Sequence, residues 1–428
     1  MNSGYAVIIK RKGGENMRFG VNYIPSKNWL YSWIDFDETA MKEDLKTIKG
    51  LGFDHIRAHI LWSYFQPNEN KMSAHCMNNL KKFCDACDEV GLDFFLSVFT
   101  GWMSGFVFLP SWLNVGCYEF WRLDIFSNER AIKAEKFLIE ELAKVVTKSK
   151  SFLGFDLGNE LNVLTRTPLD KNLNENIQKS IEVLNNWCKI MYDKCYEVAP
   201  NGLHCNGVDH GPWFGNFYFS RERLANDGFA TQFHAWGEFT GTAERYGWND
   251  NRMYSLPHFM TELSKAYTEK PNERLFQVQE FGAAKEWIDD SEVMENYIRN
   301  TLDFCAQEPN MWGVTWWCSH DISREFTGFN ELEYTLGLID IDNNPKPAGL
   351  IFKKYIEEYK AKEIKPYKPT KALVVKETGF GYAKDARTNA DRYAACVEKG
   401  IYPAFVLPEK VNDTQYLKMR GIEEILDD

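Results

Sequence analysis

Eight short apolar segments, each followed by a longer amphipathic stretch, leave few folds open to this chain. The segments are nearly continuous in their apolar character, as in parallel strands that are buried on both faces. Strands that alternate with helices predict a parallel sheet, and eight such units predict an α/β fold of the (β/α)8 TIM-barrel type. The predicted strands are RFGVNYIP (18–25), HIRAHILW (55–62), DFFLSVFT (93–100), FLGFDLGNE (152–160), LHCNGV (203–208), FATQFHAW (229–236), LFQVQEFG (275–282) and MWGVTWWCSHD (311–321).

The predicted barrel occupies residues 18–361 of the 428-residue chain. A stretch rich in Pro and Lys, IKPYKPTK, predicts a linker over residues 362–371. Residues 372–428 then predict a small α/β appendage of the βαβ kind. Because this piece is too small for a stable core of its own, we expect it to pack on the barrel or on a partner chain, which leaves a homo-oligomer open.

Residues 1–17 precede the barrel pattern and are predicted to be an N-terminal extension. The stretch KGGENM (12–17) is what a purine-rich ribosome-binding site followed by a start codon could encode. We therefore expect that Met17 is the natural start and that the preceding residues are not native. The alternative is a short strand, YAVIIKRK, that pairs with the barrel or the appendage.

The charge of the chain and the length of its apolar runs each argue against one class of partner. It carries 61 acidic against 50 basic residues, a net charge of −11, and shows no basic block that would bind nucleic acid. Its apolar runs are too short for a membrane span or for the core of a signal peptide. We therefore predict no nucleic-acid and no membrane partner.

Ten cysteines are scattered along the chain. Cys84 and Cys87 have the C-x-x-C spacing, but they lie inside a helical pattern and no second pair accompanies them, so a zinc site is not predicted. Scattered thiols are typical of a reducing compartment, and we expect a cytoplasmic protein. No cluster with ligand spacing lies near the strand ends, and no metal or organic cofactor is predicted.

Two carboxylates end predicted strands. Glu160 ends the fourth strand and Glu280 lies near the end of the seventh, both within apolar segments. An ionised group is costly to bury there unless it is paired or used. One such residue could be a structural ion pair, but two on facing strands indicate the carboxylate pair that glycoside hydrolysis requires.

The pattern of strand ends resembles clan A glycoside hydrolases, and family 5 most closely. The resemblance rests on Asn159-Glu160 on the fourth strand, Glu280 on the seventh and a Trp on the eighth, and it covers residues 18–361. It implies a retaining β-glycosidase in which Glu160 is the acid/base and Glu280 the nucleophile. It also implies that Asn159 holds the 2-hydroxyl of the sugar.

Three further positions match this family pattern. Arg57 on the second strand corresponds to the arginine that steers the nucleophile, and a cation there is expected to keep Glu280 ionised. His234 on the sixth strand corresponds to a histidine that lines the site. Trp316 corresponds to the tryptophan floor of the sugar site, with Trp317 as the competing choice, because only one of two neighbours faces inward.

The sequence also departs from the family pattern. Trp236 stands two residues after His234, where the family usually has a tyrosine that bonds to the nucleophile. The third strand ends SVFTGW (97–102), without the usual histidine. These departures concern the assignment to family 5 and the identity of the substrate. They do not change the assignment of the two glutamates.

Several predicted loops are rich in aromatic residues, which suggests a walled pocket and an exo-acting enzyme. The expected substrate is a short oligosaccharide, and the intracellular exo-acting members that the chain resembles include β-mannosidases. The alternatives are a β-galactosidase, a β-glucosidase, an endo-β-1,4-mannanase or glucanase and, from another class, a catalytically silent carbohydrate-binding barrel. The loop aromatics are Trp102, Trp112, Trp121, Trp213, Trp248 and Phe326.

Overall fold

The predicted barrel is confirmed. The computed structural model describes residues 17–115, 121–165, 173–215, 219–376 and 387–426, so the predicted extension before Met17 lies outside the described residues. Seven parallel strands form the main sheet, and the first strand in sequence pairs with both the second and the eighth. These strands are Arg18–Tyr23, His55–Leu61, Asp93–Thr100, Phe152–Asp156, Ala230–His234, Leu275–Phe281 and Met311–Trp316.

The fifth barrel position is held by a shorter segment than the sequence predicts. Residues 203–205 run beside the fourth strand, with Leu203 N donating to Leu153 O at 2.7 Å and Cys205 N to Phe155 O at 2.9 Å. On the other side, Phe229 N donates to His204 O at 2.9 Å just before the sixth strand begins. This segment closes the barrel between the fourth and sixth strands.

Eight helices within the described residues follow the eight barrel positions. Their apolar faces pack on the outside of the sheet, as the amphipathic pattern predicts. The first of them begins at Glu38, because the side chain of the preceding Asp37 accepts from the backbone N–H groups of Thr39 and Ala40, both at 3.0 Å. The helices are Glu38–Gly50, Ala74–Val90, Glu129–Val146, Leu173–Val198, Arg221–Asn226, Leu256–Tyr267, Ser291–Ala306 and Pro347–Ala361.

The base of the barrel is filled by side chains, which leaves the opposite mouth as the place for a site. Phe95, Cys205 and Trp312, from the third, fifth and eighth positions, form a buried cluster. The ring of His55 packs on Trp312 at 4.9 Å between centroids. Among the described residues, no helix is both long and apolar enough to span a membrane.

The appendage is a three-stranded parallel sheet. Its strands are Lys371–Val374, Ala404–Val406 and Glu424–Ile425, with the first in the middle. The first begins at Lys371, which the sequence assigned to the linker. Two helices, Thr388–Val397 and Thr414–Arg420, connect them.

The appendage packs against the barrel helix Leu256–Tyr267. The guanidinium of Arg420 pairs with the buried carboxylate of Glu262 at 2.9 Å. The rings of Phe259 and Phe405 lie 5.8 Å apart, which joins the two cores.

Candidate active site

The side chains that the sequence singles out converge at the carboxyl ends of the barrel strands. Arg57 lies within the second strand, His234 ends the sixth and Glu280 is the next-to-last residue of the seventh. Glu160 follows the fourth strand, which ends at Asp156. Because these strand ends surround one mouth, Arg57 and Glu280 come within 2.6 Å although 223 positions separate them in sequence.

Arg57 is the centre of a buried network of charges. Its Nη1 donates to Oε1 of Glu280 at 2.6 Å, its Nε to Oδ2 of Asp156 at 2.8 Å, and its Nη2 to Oδ1 of Asn159 at 3.1 Å. The side chains of Arg57, Asp156 and Glu280 are 1%, 0% and 4% exposed, so these bonds replace bonds to water. The rigid guanidinium therefore fixes Glu280 and Asn159 relative to each other.

The other carboxylate oxygen of Glu280 is also held. Its Oε2 accepts from Nε1 of Trp236 at 3.1 Å. Trp236 is the residue at which the sequence departs from the family pattern, where a tyrosine hydroxyl bonds to the nucleophile. The indole N–H supplies a hydrogen bond to the corresponding carboxylate, which explains how this position tolerates the exchange.

Glu160 is presented by a tight turn after the fourth strand. Gly158 has no room for a side chain there, because a Cβ would lie 2.7 Å from the carbonyl oxygen of Phe99. Glu160 itself has φ 46°, a region that residues other than glycine rarely occupy. Backbone strain of this kind persists where the surrounding structure fixes a functional side chain. The Glu160 carboxylate, 23% exposed, accepts from Nε1 of Trp102 at 3.1 Å.

The two glutamates face each other across the mouth, with His234 between them. Nδ1 of His234 is 3.5 Å from Oε1 of Glu160 and 3.3 Å from Oε2 of Glu280. These three side chains each place an atom within 4.8 Å of the others. Retaining glycosidases hold their carboxyl groups about 5–5.5 Å apart, whereas inverting ones leave about 6.5–9.5 Å for a water. The observed separation is in keeping with the retaining geometry.

Burial and charge act in opposite directions on this pair. Burial raises the pKa of Glu280, the charges of His234 and Arg57 lower it, and Glu160 adds to the rise, so that the pKa lies above its ordinary value. Burial lowers the pKa of His234, but the carboxylates of Glu280 and Glu160 outweigh this and leave that pKa raised. The sequence predicted that the charge of Arg57 keeps Glu280 ionised. Burial of the carboxyl acts against this charge and raises the pKa of Glu280.

The expectation that Trp316 forms the floor of the site is wrong. The Trp316 ring packs against Phe281 at 5.1 Å and Phe352 at 5.3 Å, and Phe352 belongs to the last barrel helix, outside the sheet. The competing residue, Trp317, lies past the strand end with its ring 5.6 Å from that of His59. Alternation along the strand turns Trp316 outward and leaves Trp317 on the side of the mouth.

The loop aromatics divide between the site and the core. Trp102 contacts Glu160, whereas Trp112 is buried 6.1 Å from the ring of Trp62 and Trp213 is buried 5.6 Å from that of Phe233. The side chain of Trp121 lies outside the described part of the chain. Aromatic loop residues therefore contribute in part to the core, as their size alone would explain.

Asp156 and Asn22 belong to the site although the sequence analysis did not name them. Oδ1 of Asn22 accepts from Nη1 of Arg57 at 3.2 Å, and its Nδ2 donates to the carbonyl oxygen of Gln279 at 3.1 Å. A signal for Asp156 was present, because it is a carboxylate inside the apolar segment FLGFDLGNE (152–160), and the structure shows that the strand ends at this residue. Asn22 near the end of the first strand carried a weaker form of this signal.

Three comparisons with known proteins bear on this arrangement. A family model described as cellulase (glycosyl hydrolase family 5) matches residues 14–323. No curated protein matches the chain. Many solved structures match it, and three of the most similar follow.

The GH5_18 protein from Streptomyces cattleya, solved in complex with GlcNAc, is 32% identical with a TM-score of 0.86, over 96% of this chain and 98% of that one. A variant of it, with alanine in place of a glutamate, was solved in complex with Manβ1-4GlcNAc and matches with 32% identity and a TM-score of 0.84, over the same shares. A GH5_18 protein from Bifidobacterium longum subsp. infantis is 31% identical with a TM-score of 0.86, over 96% of both chains.

Proposed function

Since the chain belongs to glycosyl hydrolase family 5 and is therefore a retaining glycoside hydrolase, we propose that it releases single β-mannosyl residues from the non-reducing end of short oligosaccharides. In this proposal Glu280 is the nucleophile and Glu160 is the acid/base. The observation that carries it is the pair of carboxylates within 4.8 Å of each other, of which Glu280 is bound by the Arg57 guanidinium.

In the first step, Glu280 attacks the anomeric carbon while the bond to the leaving oxygen breaks. Glu160 gives its proton to that oxygen, so that the leaving sugar departs as an alcohol. Arg57 and Trp236 hold both oxygens of Glu280 and so aim the attacking carboxylate. Because both donors are buried and fixed beforehand, little reorganisation is needed during the step.

In the second step, Glu160 takes a proton from water as the water attacks the anomeric carbon. The bond to Glu280 breaks and the sugar leaves with its original configuration. His234 lies between the two carboxylates, which raise its pKa and so favour its charged form, and this charge lowers the pKa of Glu280. Asn159, whose Oδ1 accepts from Arg57, is held to bind the sugar 2-hydroxyl as the family pattern implies.

The choice of mannose is supported by the related structures. The 32%-identical Streptomyces protein and a 29%-identical Bifidobacterium longum protein were both solved with Manβ1-4GlcNAc. This disaccharide would be a substrate with a single glycosidic bond, as expected for an exo-acting enzyme. A cytoplasmic location is part of the proposal, and the nine cysteines of the described residues, all free thiols, are in keeping with it.

Product analysis tests the exo mode and the sugar. We expect Manβ1-4GlcNAc to yield mannose and GlcNAc, and a β-1,4-mannotetraose to yield mannose and the trisaccharide early in the digest. Proton NMR should show the β-anomer of mannose first. If the tetrasaccharide gave mainly disaccharide, the enzyme would be endo-acting and the proposed exo mode would be wrong. If an aryl β-galactoside were cleaved faster than the β-mannoside, the proposed sugar would be wrong.

We expect hydrolysis to be independent of metal ions. Glu160, His234 and Glu280 could by their geometry bind a cation, but Arg57 already places a positive charge beside Glu280, and the proposed steps use both carboxylates. The rate should therefore be unchanged after exhaustive chelation and dialysis. A loss of activity that one added metal restores would contradict this.

We expect His234→Ala to move the acid limb of the pH profile to higher pH. Glu280 must be ionised to attack, and its raised pKa puts that limb above the ordinary value for glutamate of about 4.3. The charge of His234 lowers the pKa of Glu280, so removing it lets that pKa rise further. The measurement is kcat/KM against pH with an aryl β-mannoside. His75→Ala, at an exposed position, is the control, and an unshifted limb in His234→Ala would refute the coupling.

A further inference from the structure

A third acidic side chain, Glu333, lies in the loop after the eighth strand, close enough to Glu160 and Glu280 for their charges to act on it. It lies in the short 3-10 helix Glu331–Tyr334. Burial is the largest effect on the pKa of Glu333 and raises it, the hydrogen bond from Ser104 comes next and lowers it, and the charges of Glu160 and Glu280 raise it again, to about 7 in all. Glu333 is nevertheless only half-buried. A carboxyl that is partly open yet surrounded by protein and by two other carboxyls is one that lines a pocket.

Glu333 is held by the same hairpin that contacts Glu160. The hairpin spans residues 102–107 and turns at Ser104 (φ 50°) and the following glycine (φ 88°), as in a two-residue type I′ turn. Oγ of Ser104 donates to Oε2 of Glu333 at 3.0 Å. At the start of the hairpin, Trp102 donates to Glu160. One short element therefore sets the position of Glu333 relative to the proposed acid/base.

Glu333 lacks the partners that a shielded carboxylate usually has. Among the described residues, no basic side chain forms an ion pair with it, and Ser104 is its one hydrogen-bond donor. Its neighbour Glu331 differs, because it is 71% exposed and pairs with Arg324 at 3.0 Å. A shielded, unpaired carboxylate is costly unless donors compensate it. Hydroxyl groups of a bound sugar are donors of the required kind.

Aromatic rings from three loops pack against one another near Glu333. The ring of Phe329 lies 5.0 Å from that of Trp29, 4.9 Å from Phe106 and 5.9 Å from Tyr334. These contacts join the loop after the first strand, the hairpin and the loop after the eighth strand. We take these packed rings as a wall beside the mouth, and Glu333 directly precedes one of them, Tyr334, in the 3-10 helix.

We propose that Glu333 accepts hydrogen bonds from the 3- and 4-hydroxyls of the terminal mannosyl residue and so forms the closed end of the pocket. This inference rests on the proposed function. The anomeric carbon must lie between Glu160 and Glu280. Glu333, which the hairpin holds near Glu160, then meets the remote edge of the same sugar. The two oxygens of a carboxylate suit two neighbouring hydroxyls. A galactoside, with its axial 4-hydroxyl, fits this edge less well, and a chain extended from that hydroxyl would meet the wall.

A substrate–variant cycle tests this role. Glu333→Gln keeps the size of the side chain and an acceptor for Ser104, and its kcat/KM is measured with p-nitrophenyl β-mannoside and with the 4-deoxy analogue. We expect about a 10- to 100-fold loss on the mannoside, the size expected for hydrogen bonds to a charged group. The wild type should lose part of this factor on the 4-deoxy substrate, because one of the two contacts is gone. On that substrate Glu333→Gln should lose less than it does on the mannoside, because only the contact to the 3-hydroxyl remains to be lost. Glu331→Gln is the matched control and should stay within about twofold of the wild type on both substrates, as its exposed side chain implies.

Each outcome either supports or overturns the proposed contact between Glu333 and the sugar. Equal losses by Glu333→Gln on both substrates, or no loss on the mannoside, would overturn the proposed contact. If Glu333→Gln does not fold, as judged by its thermal unfolding, Ser104→Gly removes the bond that positions Glu333 while suiting the positive φ, and a higher KM for the mannoside alone supports the role. If the wild type cleaves another aryl glycoside and not the mannoside, the proposed function fails, and the same cycle with that glycoside and its 4-deoxy analogue tests Glu333 separately.

Discussion

Glu280→Ala is expected to lose turnover on every substrate, by a factor on the order of 10⁴ or more, because Glu280 is the proposed nucleophile and an alanine side chain cannot attack the anomeric carbon. Glu160→Ala is expected to lose about 10²–10⁴-fold on Manβ1-4GlcNAc, whose leaving oxygen needs a proton. The same variant should keep the first step for aryl leaving groups of low pKa. The two variants are compared by single-turnover and steady-state kinetics.

Azide distinguishes the two roles by stereochemistry. With Glu280→Ala, azide should occupy the emptied position and attack the substrate directly, which gives a mannosyl azide of inverted configuration. With Glu160→Ala, the intermediate on Glu280 still forms, and azide should give the product of retained configuration. Glu331→Ala, at an exposed carboxylate, serves as the control. The same azide product from both glutamate variants would contradict the assigned roles.

Arg57→Met is expected to reduce both stability and activity. It leaves the buried carboxylates of Asp156 and Glu280 without their cation, and removal of one partner from a buried ion pair costs about 3–5 kcal/mol. Urea unfolding measures this loss. Arg18→Met is the matched control, because Arg18 pairs with Asp93 at a partly exposed position where such a pair contributes about 0–1 kcal/mol.

The pH dependence separates this electrostatic effect from simple loss of packing. Without Arg57, the pKa of Glu280 in the folded state should rise further above its unfolded value. A carboxyl whose folded pKa is raised stabilises the fold below the unfolded pKa and loses that contribution as pH rises through the folded pKa. The stability deficit of Arg57→Met should therefore shrink as pH falls. A deficit that is constant with pH would indicate that lost contacts alone explain it. Arg57→Lys should not restore activity, since one ammonium cannot replace the directed bonds of the guanidinium to Glu280, Asp156 and Asn159 together.

Most of the barrel could be predicted from local patterns. The periods of strands and helices depend on residues that are close together in sequence. The eight strand–helix units could therefore be predicted from the sequence. The fifth strand was overestimated because LHCNGV has the composition of a strand, whereas pairing with two neighbours extends only over residues 203–205. In the appendage, the strand Glu424–Ile425 was missed, because it exists through pairing with Lys371–Val374, about fifty positions earlier.

The residues of the candidate site could likewise be predicted only in part from the sequence. Glu160 and Glu280 could be named from the sequence because a carboxylate at the end of an apolar strand is conspicuous, and a barrel brings all such ends to one mouth. Arg57 lies within its strand and was named through the resemblance to family 5. Trp316 was preferred over Trp317 wrongly, since alternation says that one of two neighbours faces inward, while the pairing of that strand with its neighbours decides which one.

The sequence by itself determined the barrel and the identity of the residues at its strand ends, because hydrophobic periodicity and strand-end position act over short stretches of chain. Only the tertiary structure brought atoms of Glu160, His234 and Glu280 within 4.8 Å of one another. It also decided the burial that raises the pKa of Glu280 and the position of Glu333. These depend on the distances between segments that are remote in sequence and on how much solvent the fold excludes. Loop residues such as Ser104 and Glu333 have no period that would reveal which side they face, so their meeting at 3.0 Å is a property of the folded chain.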